Sequence, residues 1–117
     1  MLIRFAFVVW MTALVLVSLL PLSFKWKLHT HGSLHDYLHY AAFFVTAIFL
    51  WLISQGPLGR AFAFVGGLTF SYSQEWAENW LYHAGFEWRD VATDFVGLLS
   101  GFALMMLISS LLSDSRD

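Results

Sequence analysis

The sequence predicts an all-α membrane protein, a four-transmembrane-helix up-down bundle, on three observations. Of its 117 residues 59% are hydrophobic and 12% charged, against about a quarter charged in a soluble domain. The apolar residues fall into four long stretches, each near the roughly 20 residues that cross a hydrocarbon core of about 30 Å. All five histidines and six of the eight acids lie in or near the first and third of the short connections between the stretches. An aromatic share of 19% excludes disorder. The formal charge of −2 supplies no basic surface, so no nucleic-acid partner is expected. With no cysteine there is no disulfide, thiol nucleophile or thiolate metal site.

The first span is expected at about 5–24, where Phe5 to Phe24 carries no charge. Its start after Arg4 is signal-peptide-like, but Ser18-Leu19-Leu20-Pro21-Leu22-Ser23-Phe24 contains no small-x-small cleavage site, so a retained helix is expected. The second, about 37–55, lies in the uncharged run from Tyr37 to Gly59, and Gln55-Gly56-Pro57-Leu58-Gly59 reads as the turn after it. The third, about 61–83, is interrupted in its last two turns by Glu75 and Glu78, and Gly85 breaks the helix. The fourth, about 90–112, enters at Asp90, has Asp94 one turn inside, and is uncharged from Phe95 to Ser113. The four make a single domain over 1–117.

Alternating spans put both termini and the second loop on one membrane face, and the first and third loops on the other. All five histidines (His29, His31, His35, His39, His83) and six of the eight acids (Asp36, Glu75, Glu78, Glu87, Asp90, Asp94) belong on or near the loop-one and loop-three face. The positive-inside comparison ties Arg4, Arg60 and Arg116 against Lys25, Lys27 and Arg89. The free amino terminus tips the orientation toward cytoplasmic termini. The expected location is therefore the cell inner (cytoplasmic) membrane, multi-pass, with the polar face outward. Trp26, Trp76, Trp80 and Trp88 are expected at that interface and Trp51 at the other.

Glu75 follows Arg60 by 15 residues, about 22 Å along a helix at 1.5 Å per residue. A carboxylate at such depth costs several kcal/mol unless paired or hydrated, so it marks either a polar site or an acid satisfied by a neighbouring helix. Glu78 and Asn79 share its face. Asp90, Asp94, Gly97 and Gly101 form one stripe on the fourth helix, whose glycines permit close helix approach. Asp90 also suits a helix N-terminus electrostatically. Arg89 can neutralise a buried acid or clamp a lipid phosphate. The expected ligand-binding set is His39, Glu75, Glu78, Arg89, Asp90 and Asp94, with no cofactor. The alternative is a divalent metal on His35 and His39, which are one turn apart and preceded by His29-x-His31.

Ser18-Leu19-Leu20-Pro21, His39-Tyr40-Ala41-Ala42-Phe43, Glu75, and Asp90-Val91-Ala92-Thr93-Asp94-Phe95-Val96-Gly97 with Gly101 together resemble the VanZ-like membrane proteins over nearly the whole chain. The chain departs from the family's usual pattern in having His35-Asp36 in place of Asp-Lys, Glu78 in place of Gln and Asp94 in place of Asn. Its loop arginine, Arg89, is adjacent to Asp90 instead of several residues before it. The polar set therefore holds more acid and less base. The resemblance implies a small accessory membrane protein, of a kind associated with lowered sensitivity to teicoplanin.

Two functions follow. One is a non-enzymatic protein whose outward polar pocket binds a lipid headgroup or an amphiphilic antibiotic at the leaflet boundary. The alternative is a membrane-embedded enzyme on a lipid-linked substrate, with Glu75 or Asp94 as general base and His39 as acid or ligand, although no nucleophile motif accompanies them. Ion translocation ranks last, since the other halves of the spans offer only hydroxyls such as Thr69, Ser109 and Ser110. The expected partners are membrane lipid and an amphiphilic small molecule. A homo-oligomer could assemble through Gly66-Gly67 or Gly97-x-x-x-Gly101.

Overall fold

The structure, a computed structural model, describes residues 1–20, 33–83 and 85–116. Among these it is all-helical: α1 (Leu2–Ser18), α2 (Ser33–Ile53), α3 (Gly56–Tyr82) and α4 (Trp88–Asp114). α2 and α4 are long and apolar enough to cross a membrane, whereas α1 is apolar but spans 17 residues. Pro21 to Phe24 of the expected first span lie outside the described residues, as do Lys25, Trp26, Lys27, His29 and His31.

The helix boundaries differ from the expected spans at the turns. α2 and α3 are separated only by Ser54 and Gln55, so most of the expected Gln55–Gly59 turn is the first turn of α3. Gly56 opens the helix at φ +68° with Pro57 directly after it. Proline is well placed there because the first helical N–H groups have no intrahelical acceptor to lose. Arg60 is consequently inside α3, its guanidinium 3.9 Å over the Trp51 ring. α3 ends at Tyr82, where His83 turns left-handed (φ 53°) and its N–H donates to Asn79 O at 2.8 Å. Gly85 follows with φ +83°.

α2 and α4 form the most extensive interface and run parallel, pairing residues 55 positions apart near their N-terminal ends. Their seam is lined by small residues. Gly97 and Gly101 of α4 face the backbone of α2 around Tyr40 and Phe44, so the glycine stripe is occupied within the chain. Below it Phe43, Ala47, Trp51, Leu98 and Phe102 form the core, with Phe64 and Leu68 of α3 packed on it. Trp51 is buried, edge-on to Phe102 at 5.8 Å, where an interfacial ring was expected. It belongs to the core cluster, and the Arg60 guanidinium lies over its ring.

α1 docks on α2 through Trp10, whose indole N–H donates to Thr46 Oγ1 at 2.9 Å, and through Phe7 and Trp10 against Phe49. Many other large apolar side chains face outward, among them Phe5, Leu16, Phe62, Val65, Met106, Leu107 and Leu111. Trp76, Trp80 and Trp88 are also exposed, with Trp76 stacked on Trp80.

Candidate functional site

The polar residues gather where α2 and α4 begin and α3 ends. His35 and His39 are one turn apart on α2, and Asp90 and Asp94 one turn apart on α4, so the parallel seam matches the two pairs in order. His35 Nε2 lies 3.0 Å from Asp90 Oδ2 and His39 Nδ1 lies 2.7 Å from Asp94 Oδ1. An ionised carboxylate accepts from the ring nitrogen in each pair. The other nitrogen of His39, Nε2, is 3.7 Å from Asp90 Oδ2. α3 adds Ser71, whose hydroxyl donates to Asp94 Oδ2 at 2.6 Å. Asp94 thus accepts from two helices at once, and it is buried, as are Asp90 and Ser71.

Glu75 lies one turn beyond Ser71 on the same face of α3 and is 7% exposed. Its Oε1 accepts the backbone N–H of Glu87 at 2.8 Å, and the Glu87 carbonyl accepts from Asp90 N at 3.1 Å. One loop residue therefore joins Glu75 to the first turn of α4. The acid is satisfied from the connection instead of by a histidine.

Glu78 and Arg89 of the expected set have partners of their own at this end. Glu78 faces α1, where the Ser18 hydroxyl donates to its Oε1 at 2.7 Å. Beside that pair an elongated groove of about 200 Å³ separates α1 from α3, lined by Val15, Leu19, Phe70 and Ala77 among others. Arg89 is mostly exposed and pairs with Asp36 at the surface. It neutralises Asp36, leaving Asp90 and Asp94 to the histidines. Ser71 and Ser18 are the polar contributors that sequence reasoning missed. Ser71 had one signal, its position four residues before Glu75, which puts it on the same helical face.

The network ends abruptly. Past Asp94 the interior is mainly Phe43, Ala47, Leu98, Trp51 and Phe102, with the buried Thr46 hydroxyl engaged by Trp10 and the Ala42 carbonyl. Chemically the arrangement can bind a polar group, hold an ion, or pass a proton over a short distance between imidazole and carboxylate. No family model matches the chain, and no curated protein or solved structure is significantly similar to it.

Proposed function

We propose that the chain is a four-span, VanZ-like protein of the cytoplasmic membrane that binds the polar head of an amphiphile, a lipid or a teicoplanin-type antibiotic, at its outward face. The observation that carries the reading is the one-ended cluster of His35, His39, Asp90, Asp94, Ser71 and Glu75 in a chain whose helices expose many large apolar side chains. Large apolar patches mark membrane or partner contact, and buried acids in such a chain mark ligand sites by default. α2 and α4 are long and apolar enough to cross a membrane, and the four-span reading adds α1 and α3 to them. Exposed Trp76, Trp80 and Trp88 suit the headgroup level on the same side. The reading takes the termini as cytoplasmic.

A binding role is favoured over catalysis by the one hydroxyl in the cluster. Ser71 is 1% exposed and donates to a carboxylate, so it is a support for Asp94 without the access a nucleophile needs. The histidine edges, about a quarter to a third exposed, are the part a ligand can reach. The test is titration of the purified protein, in nanodiscs of phosphatidylglycerol and phosphatidylcholine, with teicoplanin, alongside mass spectrometry of the lipid it retains. Wild type and Glu75→Gln should bind alike, and Glu75→Leu should lose binding. Equal binding by all three overturns the reading.

A further inference from the structure

Three carboxylates, Glu75, Asp90 and Asp94, are buried at one end of the chain, and the nearest described cation, Arg89, is engaged outside them with Asp36. Two imidazoles answer them, and the contacts of His39 are unequal. Nδ1 makes a short bond to Asp94, while Nε2 faces Asp90 Oδ2 at 3.7 Å. That separation is too long for a hydrogen bond. Nε2 is thus turned toward a carboxylate oxygen at a distance that leaves room for an ion between them.

We infer that His35 Nε2, His39 Nε2 and Asp90 Oδ2 hold a divalent transition-metal ion. The three donor atoms lie within 4.8 Å of one another. Ligands about 2.0–2.1 Å from a tetrahedral ion stand about 3.3 Å apart, and the two separations to Asp90 Oδ2, 3.0 and 3.7 Å, bracket that value. The imidazole majority selects zinc or iron(II) over magnesium or calcium, which prefer oxygen donors. Two histidines with one carboxylate leave coordination open to a further ligand, and both histidine side chains are part-exposed.

The outer contacts fit the same assignment. A metal-bound histidine commonly donates its second N–H to a carboxylate, which fixes the ring and raises its basicity. His39 does this to Asp94, and Asp94 is held in turn by Ser71. Asp94 is therefore a positioning residue, with no contact to the ion. Binding displaces the proton that His35 Nε2 shares with Asp90, and that proton leaves to solvent or moves to Nδ1 of the same ring. The assignment does not depend on amphiphile binding.

The experiment uses the full chain in detergent micelles, stripped with chelator and dialysed against Zn²⁺ with no amphiphile present, so its outcome is separate from the titration above. One Zn²⁺ per chain is expected by elemental mass spectrometry for wild type and for Asp114→Asn at the far end. Retention should fall to background in His35→Gln and Asp90→Asn, and Asp94→Asn should weaken affinity by about 10–100-fold. Helicity by circular dichroism separates lost binding from lost folding. Should a variant fail to fold, Co²⁺ bound to wild type decides: a strong visible spectrum of four-coordinate cobalt is expected, and the weak spectrum of the aqua ion overturns the site. Absence of stoichiometric Zn²⁺ in wild type, or undiminished Zn²⁺ in both ligand variants, also overturns it.

Discussion

Gly97 approaches Tyr40 so closely that a Cβ on the glycine would stand 2.5 Å from the Tyr40 carbonyl oxygen. Backbone cannot yield as a flexible side chain does, so the two helices must separate to admit a methyl group. Gly97→Ala should destabilise the protein by about 1–3 kcal/mol, the usual cost of overpacking, and Gly101→Ala similarly, because its Cβ would meet Ala47 Cβ at 2.5 Å. Gly66→Ala is the contrast. Nothing lies within 4 Å of its Cβ position, and alanine improves helix propensity by up to about 1 kcal/mol. Thermal unfolding in detergent should order the three as Gly66→Ala above wild type and the other two below it.

Asp94 accepts from His39 and from Ser71 in a buried setting. Asp94→Leu removes both acceptors, and each stranded group costs about 1–3 kcal/mol. Asp94→Asn keeps an acceptor oxygen and adds a donor, to which a rotated Ser71 hydroxyl can respond. The leucine variant should unfold well below wild type and the asparagine variant close to it. Equal losses in the two would deny Asp94 its place in the network.

At Glu75 the expected ordering separates binding from turnover. Glu75→Gln preserves an acceptor for the Glu87 N–H while removing basicity. A binding site should tolerate it, whereas a general base would lose about 10²–10⁴-fold in rate. Glu75→Leu should be severe in either case. Whatever membrane phenotype the chain confers, scored at matched protein levels, provides the readout.

Topology has its own check, aided by the lack of natural cysteines. Single cysteines at Ser33, Leu58 and Ser115 occupy exposed positions at successive ends of the helices. An impermeant thiol reagent applied to intact cells should label Ser33→Cys and spare the other two. Labelling of Ser115→Cys with none at Ser33→Cys would invert the orientation.

The stripe Asp90, Asp94, Gly97 and Gly101 was legible because helical periodicity places these residues on one face whatever they contact. The matching of that stripe to His35 and His39 was not, since spacing within one helix says nothing about which neighbour it meets or in what direction. For the same reason Glu78 and Arg89 could be assigned to the polar end but not to Ser18 and Asp36, their partners through space. Trp51 shows a different limit. Its distance along the helix suggests an interface, yet the ring is buried in the core cluster, with Arg60 over it from beyond a two-residue connection. The apolar runs located the helices, while their ends were set by cap chemistry at Gly56, Pro57 and His83.

The 55-residue offset between α2 and α4 acts as a vernier. Advancing one helix by a single residue along its own screw shifts it by about 1.5 Å and turns its facing surface by about 100°, which takes both aspartates off both histidines and drives side chains into the glycine gaps in the same motion. No small displacement relieves one contact while keeping the rest. The polar end therefore shares the stiffness of the hydrocarbon-filled seam beneath it, and whatever binds there meets donors and acceptors already fixed in place.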